Sequence, residues 1–184
     1  MTNTATIELR HFGHTDLPAI RQTLLDVHAS AYADDMTEFD ERFPWFVDHW
    51  GSREGYACVI GYDGDEPVGF AYGAPAAPGR EWWREHVQDP PADDSTFAVS
   101  ELMVRHAWRK TGTAGLLHEA LLDSRTEALA VLLVDREHPK VQALYEEWGY
   151  EQVGYRQPFP DSPNFAVMLR PRRRPARVQN GDTA

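Results

Sequence analysis

Residues 100–128, SELMVRHAWRKTGTAGLLHEALLDSRTEA, decide the fold, because they read as a strand, a tight turn and a helix. An apolar run ends at Val104, and the four-residue spacing of Leu117 and Leu121 predicts a helix with one apolar face. Between them, residues 109–115 contain two glycines and small side chains, so backbone N–H groups can approach a ligand closely. A helix start also carries unpaired N–H groups and partial positive charge. This combination favours a phosphate or a pyrophosphate.

The turn carries neither of two common phosphate-binding patterns, because G-x-G-x-x-G and G-K-[ST] are both absent. It carries R-x-x-G-x-A, formed by Arg109, Gly112 and Ala114, directly after a strand that ends in ELMV. This motif resembles the coenzyme A signature [QR]-x-x-G-x-[GA] of the GNAT superfamily of N-acetyltransferases. Taken alone, it is equally compatible with an ordinary turn between a strand and a helix.

A second motif follows in the order that this superfamily shows. Residues 129–134 form an apolar run of strand length, Pro139 suits the first turn of a helix, and Gly149 suits its end. The segment HPKVQALYEEWGY is similar to the GNAT pattern N-x-x-A-x-x-x-LY-x-x-x-G-[FY], with Tyr145 in the tyrosine position. His138 stands where the pattern often has Asn, so a role borrowed from that Asn is in doubt.

The resemblance implies a single α/β (α+β) domain over residues 1–170, with a central mixed, mostly antiparallel sheet flanked by helices. It also implies transfer of an acetyl group from acetyl-CoA to a primary amine of a small molecule or peptide, directly in a ternary complex. Two alternatives stay open: transfer of a longer acyl group, and a non-catalytic module that binds or senses coenzyme A.

The same resemblance assigns the residues that hold the cosubstrate. Backbone N–H groups of the turn would face the pyrophosphate, with charge added by its basic side chains. The end of the central strand would pair with the pantetheine arm and supply an N–H group for the oxyanion. The candidate cofactor-binding residues are Met103, Val104, Arg109, Lys110, Thr111, Gly112, Thr113 and Ala114.

Two side chains are the catalytic candidates. Glu101 lies inside an otherwise apolar strand, where an unpaired charge is costly. The resemblance makes it the candidate general base, and the alternative is a structural, hydrogen-bonding carboxylate or one that faces solvent. His106 in the following turn is a second candidate base, and Ser100 could bridge a water. The resemblance gives Tyr145 the role of the acid that protonates the thiolate, whereas packing on the helix face is the alternative.

Composition limits the class of partner. The 184 residues carry a formal net charge of −11, and the segment from Arg170 onward holds five Arg and one acid. Residues 1–169 therefore keep 13 basic and 28 acidic residues, a formal charge of −15. An acidic body disfavours nucleic acid and suits an amine, although solubility alone explains most of the charge. The Pro- and Arg-rich residues 171–184 are expected to be disordered.

Other expectations concern cofactors and location. No His or Cys spacing indicates a metal site, and Cys58 in an apolar run is expected to be a buried structural thiol. No run suits a membrane span or a signal peptide, so we expect a cytoplasmic protein. The fold often dimerises, but the sequence shows no interface, so a homodimer stays an open expectation.

The resemblance implies that acceptor specificity lies in two stretches that vary within the superfamily, here residues 33–54 and 74–95. The first mixes acids with aromatic residues and predicts one or two short helices, which would suit an ammonium or would simply pack an aromatic face. The second is a long loop with a short helix over 81–87, in which Trp82 and Trp83 cover the acceptor site or pack on the sheet edge. His28 lies off the apolar stripe of the first helix and is expected to be exposed.

Overall fold

A computed structural model describes residues 6–172, which fold around a seven-stranded sheet of order β1-β2-β3-β4-β5-β7-β6. Four helices of eight or more residues cover its faces. The strands are β1 Glu8–Gly13, β2 Ala57–Asp63, β3 Glu66–Pro75, β4 Thr96–Val104, β5 Leu129–Asp135, β6 Glu151–Arg156 and β7 Phe165–Pro171. The helices are α1 Leu17–Ala31, α2 Phe43–Gly51, α3 Thr113–Asp123 and α4 Pro139–Glu147. The mixed, mostly antiparallel sheet with flanking helices confirms the predicted fold class.

The sheet opens between its two central strands. Among the strands of the described residues, β4 and β5 are the one parallel pair, and their ladder joins only Thr96–Ala98 of β4 to Leu129–Val131 of β5. Beyond Ala98, β4 continues along β3 while β5 continues along β7, so the two strands separate. The second half of β4 therefore has a backbone edge that is not paired with β5, and α3 and α4 lie beside this gap.

Two hydrophobic clusters pack on opposite faces of the sheet. On one face, Leu24 and Val27 of α1 and Val47 of α2 are fully buried against the sheet, as helical spacing predicts. On the other, Leu117 and Leu121 of α3 are fully buried with side chains from β4, β5 and β7. Burial of one apolar stripe per helix fixes where each helix lies on the sheet.

A β-bulge in β4 changes which face its side chains reach. Glu101 pairs with Tyr72 of β3 and Val99 pairs with Gly73, so Ser100 is an extra residue without a partner. Ala98 and Met103 consequently belong to the same cluster, although simple alternation would put them on opposite faces. The bulge brings Glu101 to the face that α1 and α2 cover.

Most predicted elements occur within one or two residues of their expected ends. The Asp63–Glu66 pair closes the predicted hairpin, with Gly64 at φ +61°. The helix expected over 81–87 is wrong: this segment forms turns, in which Arg84 N–H donates to the Glu81 carbonyl at 3.0 Å. Trp83 is fully buried and its Nε1 donates to Thr96 Oγ1 at 3.0 Å, so Trp83 packs on the sheet.

The C-terminal strand reaches into the segment predicted as tail. β7 extends through Pro171, and Arg172 N–H donates to the Ala128 carbonyl at 2.8 Å. Arg170 is 5% exposed and its NH1 donates to the Trp148 carbonyl at 2.6 Å. Arg170 and Arg172 therefore belong to the folded domain, and the rest of the predicted disordered tail lies outside the described residues.

Two further sequence expectations concern absent features. Within residues 6–172, no helix is long and apolar enough to cross a bilayer. The same residues contain no group of three His, Cys, Asp or Glu side chains arranged to hold a metal ion. Cys58 is buried, and burial raises the pKa of its thiol to about 12.

His118 on α3 predicts a pH-dependent stability. Its side chain is fully buried, with Nε2 2.8 Å from the Tyr150 hydroxyl; burial, then the charge of Arg170, lowers its pKa to about 4. Unfolded His titrates near 6.5, so the unfolded state binds more protons between those values and the free energy of unfolding falls as pH drops from about 6.5 towards 4. We expect His118→Gln to reduce this loss by about 2 kcal/mol.

Denaturant unfolding of wild type and His118→Gln at pH 7 and pH 5 measures that difference. Groups other than His118 and its partners cancel when the two pH shifts are subtracted, and His14→Gln, an exposed site, serves as the control variant. Equal pH shifts for wild type and His118→Gln would show that His118 accepts a proton without cost in the folded protein.

Candidate functional site

The start of α3 presents a row of backbone donors. Gly112 precedes the helix with φ +85°, a left-handed conformation that a glycine adopts without strain, and a side chain there would meet nothing within 4 Å. Leu116 N–H donates to the Gly112 carbonyl at 3.1 Å. Within the described part of the chain, the amide groups of residues 111–115 have no acceptor. Five consecutive N–H groups at a helix start form a site for an anion.

The side chains of the turn hold its shape. Thr111 Oγ1 bonds to the Trp108 carbonyl and lies 2.8 Å from Thr113 Oγ1, and Thr113 is buried. Lys110 is exposed at φ +61°, which is unusual for a residue with a side chain. The hydrogen bonds of Thr111 hold the backbone of the turn in place and therefore orient the amide groups at the start of α3.

Arg109 has a different position from the one that the motif suggests. Its Nε donates to the Val104 carbonyl at 3.1 Å, and its NH2 donates to the Ala31 carbonyl at 3.1 Å. The guanidinium therefore joins the end of β4 to the end of α1. Its charge lies beside the turn, whereas its hydrogen bonds go to the protein.

The backbone N–H of Val104, rather than that of Met103, points into the gap between β4 and β5. Arg105 N–H donates to the Val68 carbonyl of the β3 segment at 2.8 Å, so alternation turns Met103 towards β3 as well. The same alternation turns the N–H and carbonyl of Val104 away from β3. The Val104 carbonyl accepts from Arg109, which leaves the Val104 N–H on the open edge.

Glu101 lies in a small aromatic cavity of about 30 Å³ below this edge. The cavity is lined by His28, Tyr32, Phe39, Asp40, Phe43, Phe46, Glu101 and Met103. Burial, then repulsion from Asp40, raises the pKa of Glu101 to about 8. Its carboxyl makes no hydrogen bond with the described residues. A carboxyl with a pKa near neutral and a free oxygen can accept a proton.

Tyr145 of α4 lies close to Glu101 although the two belong to different faces of the sheet. It is 9% exposed, and burial, then the charges of Glu101 and Tyr32, raises its pKa above its ordinary value. Its ring packs at right angles to Trp148, with centroids 5.3 Å apart. Tyr145 is therefore a phenol that keeps its proton beside the opening of the sheet, and it also packs in the core.

Three other residues that the sequence singled out, His106, Ser100 and His138, lie outside the lining of the cavity around Glu101. His106 is exposed, with Nδ1 3.2 Å from Arg109 NH1. Ser100 is the bulged residue of β4, partly buried next to Glu101. His138 precedes α4 with its side chain 66% exposed and makes no side-chain cap. None of the three lines the cavity around Glu101.

No sequence motif identifies three of the residues that line the cavity around Glu101. Asp40 belongs to the one-turn helix Asp40–Arg42, and Tyr32 follows α1 directly. His28, expected to be exposed, is 6% exposed, because its ring stacks on Phe43 with centroids 3.9 Å apart. A short α2 folded over α1 causes this burial. The only sequence signal was the density of acids and aromatics over residues 33–54.

A larger cavity of about 750 Å³ adjoins this pocket. Three loops form it: the one before α2, the one between β5 and α4, and the one between β6 and β7. Its lining residues are Thr37, Glu38, Phe39, Asp135, Arg136, Glu137, Asp161, Ser162, Pro163 and Asn164. Phe39 lines both cavities, so the larger one and the cavity around Glu101 share a wall at this side chain. The stretch with Trp82 and Trp83 lines neither cavity.

Several solved structures of acetyltransferases share this fold. Among solved structures, the ribosomal-protein-S18-alanine N-acetyltransferase of Escherichia coli is 18% identical with a TM-score of 0.60, covering 94% of this chain and 98% of its own. Arabidopsis thaliana NAA60, solved with acetyl-CoA, is 15% identical with a TM-score of 0.64 and covers 90% and 98%. PaiA N-acetyltransferase of Thermoplasma acidophilum, solved with coenzyme A, is 13% identical with a TM-score of 0.55 and covers 90% and 99%.

These identities are low enough that the structural matches show the fold alone. No curated protein matches the sequence. The model of the Acetyltransferase (GNAT) family matches residues 19–150, which is more than two thirds of the chain and includes both sequence motifs. The chain therefore belongs to the GNAT family of acetyltransferases.

Proposed function

We propose that this protein transfers an acetyl group from acetyl-CoA to a primary amine of a small molecule or peptide, directly and without an acyl-enzyme. The observation that carries the proposal is the pairing of two features across one gap in the sheet. Five unpaired amide groups at the start of α3 lie on one side, and Glu101, with a pKa raised to about 8, lies on the other. A binding module without chemistry has no need for the second feature.

The residues present fit coenzyme A. Amide groups of residues 111–115, together with the exposed Lys110, would hold the pyrophosphate, since backbone donors and positive charge converge at one helix start. The open space at Gly112 allows the close approach that this requires. The Val104 N–H on the open edge of β4 would bind the pantetheine arm or the acyl oxygen, whereas Met103 acts by packing. When bound, acetyl-CoA supplies an acetyl group activated as a thioester.

Glu101 would remove the proton that blocks the amine. An alkyl ammonium carries no free electron pair, so its nitrogen forms the new N–C bond only after a proton leaves. The Glu101 carboxylate takes this proton inside the cavity that it shares with Asp40. A base with a pKa near 8 is ionised in a useful fraction of molecules at neutral pH and still holds a proton well.

Tyr145 would return a proton to the sulfur that leaves. Cleavage of the C–S bond produces a thiolate, and a protonated phenol near the end of β4 can donate to it. Burial keeps the Tyr145 phenol protonated over the working pH range. Cys58 is excluded as an acyl carrier, because it is 1% exposed and burial raises its thiol pKa to about 12.

Replacement of Tyr145 by Phe tests the acid role. The ring still packs against Trp148, so we expect little change in folding, while kcat falls about 10- to 100-fold because the thiolate leaves unprotonated. Initial rates of thiol release with saturating acetyl-CoA and amine measure the effect. Tyr155→Phe is the matched control, since Tyr155 is 47% exposed on β6 and lines neither cavity. A Tyr145→Phe enzyme with unchanged kcat would leave Tyr145 a packing role only.

The function itself is tested by mass spectrometry of amines incubated with the protein and acetyl-CoA. The expected product is an amine heavier by one acetyl group, formed in proportion to the free thiol released. Binding of acetyl-CoA without any acetylated amine would favour the non-catalytic module. Faster transfer from a longer acyl-CoA would favour the other alternative.

A further inference from the structure

We propose that the acceptor is a dication: an amine whose reacting ammonium enters the pocket between Asp40 and Glu101, and whose second cationic group lies against Glu38 and Glu137 in the adjoining cavity. This inference rests on the proposed function and names its substrate class. It follows from the charges, the aromatic walls and the wall that the two cavities share at Phe39.

The inner pocket lacks a positive partner for its two carboxyl groups. Asp40 and Glu101 line the same cavity of about 30 Å³, and among the described residues no Lys or Arg lines it. The guanidinium of Arg42 lies over the wall ring Phe39 at 5.0 Å from its centroid and is paired with Asp161.

Asp40 Oδ2 accepts from the Thr37 amide at 2.9 Å and from Thr37 Oγ1 at 2.6 Å, whereas Glu101 accepts nothing from the described residues. His28 supplies no charge at neutral pH, since burial lowers its pKa. The raised pKa leaves Glu101 largely protonated at neutral pH, and a cation that enters the pocket would favour its ionised form and pair with both carboxyl groups.

The walls of the inner pocket suit an ammonium. Phe39 and Phe46 pack with centroids 5.4 Å apart, and Phe43 stacks on His28. Aromatic faces attract an alkyl ammonium, and a desolvated site strengthens this attraction. A neutral acceptor could pack on these walls but would leave the carboxyl groups unpaired, and an anionic acceptor would be repelled by them. The pocket therefore selects a positively charged end.

The outer cavity carries a second negative surface. Four of its lining residues are acids, namely Glu38, Asp135, Glu137 and Asp161, against one Arg. Asp161 is neutralised by Arg42, at 2.9 Å. The cation on the lining, Arg136, lies over the Tyr155 ring at 4.3 Å.

Two of those four acids remain available. Glu38 and Glu137 are exposed, and their carboxylates make no hydrogen bond or ion pair with the described residues. Asp135 is partly used, because its Oδ1 accepts from the Glu137 amide at 2.9 Å. The outer cavity can therefore bind a second cation through Glu38 and Glu137 without breaking an existing contact.

Tyr32 lies near acids of both cavities. Burial raises its pKa to about 12, and the carboxylates of Glu101, Asp40 and Asp135 all add to the rise. Glu101 and Asp40 line the inner pocket, and Asp135 lines the outer cavity. The Tyr32 phenol is thus influenced by acids of both cavities, and Phe39 lines both of them. A short, flexible dication can reach from one site to the other.

The test compares acceptors that differ only in the second charge. We expect kcat/KM for 1,4-diaminobutane to exceed that for 1-aminobutane at least 30-fold at low ionic strength, and the ratio to shrink as salt screens the outer site. The double variant Glu38→Gln/Glu137→Gln should lower kcat/KM for the diamine about tenfold and change that for aminobutane less than twofold. Glu147→Gln/Glu151→Gln, two exposed acids outside both linings, is the matched control and should change neither.

A second set of acceptors separates the sources of a dication. Spermidine represents polyamines, and a pentapeptide with Arg at its second position, beside the same peptide with Ala there, represents N-terminal amines. Preference for either charged acceptor over its singly charged partner supports the class and identifies the source. Equal kcat/KM for mono- and dicationic acceptors, or equal losses for both in the Glu38/Glu137 variant, would overturn it.

Calorimetric binding of the two aminobutanes, without cosubstrate, keeps this inference separate from the proposed function. Preferential binding of the diamine that the double variant loses supports the dication site, even if no amine is acetylated and the transfer proposal fails. Acetylation without any preference in binding or turnover overturns the dication site and leaves the transfer proposal intact.

Discussion

Replacement of Glu101 by Gln lowers kcat about 10²- to 10³-fold, while the affinity for acetyl-CoA stays within about twofold of the wild type. Gln keeps the size of the side chain in the cavity beside Asp40 but accepts no proton from an ammonium. The cosubstrate contacts proposed at residues 111–115 are on the other side of the gap and remain unchanged. The expected loss is therefore a loss of chemistry, measured by initial rates of thiol release at saturating acetyl-CoA and amine.

The pH dependence of kcat/KM identifies Glu101 as the base. Because its pKa in the free enzyme is raised to about 8, by burial first and by Asp40 second, kcat/KM should rise with pH through an inflection near that value. Asp40→Asn removes the second cause, so the inflection should move to lower pH. In Glu101→Gln the inflection disappears, and the remaining rise follows the ionisation of the amine alone.

As pH rises, the free energy of unfolding should fall while kcat/KM increases. The pKa of Glu101 is near 8 in the folded protein and near 4.5 in the unfolded chain, so the folded state binds more protons between these values. The free energy of unfolding of the wild type then falls as pH rises from about 4.5 to 8. Glu101→Gln lacks this loss and should gain about 2 kcal/mol relative to the wild type between pH 5 and pH 8, a value reduced because the residue keeps partial exposure.

The control for all three measurements is Glu147→Gln, which removes an exposed carboxylate from the end of α4. It should leave the rate, the pH profile and the stability shift as they are in the wild type. A Glu101→Gln enzyme with wild-type kcat would contradict the assignment of Glu101 as base. In that event His106, the other candidate, becomes the residue to replace.

The central strand, turn and helix could be predicted from the sequence because they depend on local chemistry. Gly112 adopts a left-handed conformation, which suits the glycine that the motif places before the helix. Leu117 and Leu121 face the core, as their four-residue spacing predicts. The hairpin at Gly64 follows from its Asp-Gly dipeptide in the same way. Such elements are set by residues within a few positions of one another.

The surroundings of Glu101 could not be predicted, because they join parts of the chain that are distant in sequence. Asp40 comes from the segment before α2, and Tyr145 comes from α4 on the other side of the sheet. The bulge at Ser100, which determines the face that Glu101 reaches, has no sequence signature. The burial of His28 could not be predicted for the same reason. Its ring is covered by Phe43 of α2, and the loop between α1 and α2 has no pattern that predicts where α2 packs.

Arg109 shows a different limit of sequence motifs. Its position in R-x-x-G-x-A suggests a phosphate ligand, yet its guanidinium donates to the carbonyls of Val104 and Ala31. A motif records that a residue type is needed at a position, and the need here includes fixing the end of β4 against α1. Backbone amides at the start of α3 are left as the main candidates for the phosphate contact.

Gly112→Asp therefore should weaken binding of acetyl-CoA at least 100-fold, the largest effect expected from a single change outside the catalytic pair. Asp tolerates a positive φ better than most residues, so the backbone at +85° is kept at a cost of about 1 kcal/mol. Its carboxylate lies at the helix start, where it can accept from amide groups of the first turn and repels a pyrophosphate. Calorimetric titration with acetyl-CoA measures the loss.

Gly79→Asp is the matched control, because Gly79 has φ +80° and open space around it but lies in the exposed loop after β3. It introduces the same charge with the same backbone strain away from the site, and it should bind acetyl-CoA as the wild type does. Gly112→Ala separates charge from strain: it keeps the amides free, so its affinity should fall much less than that of Gly112→Asp. Similar losses in Gly112→Asp and Gly79→Asp would mean that net charge, and not the amides of α3, governs binding of the anion.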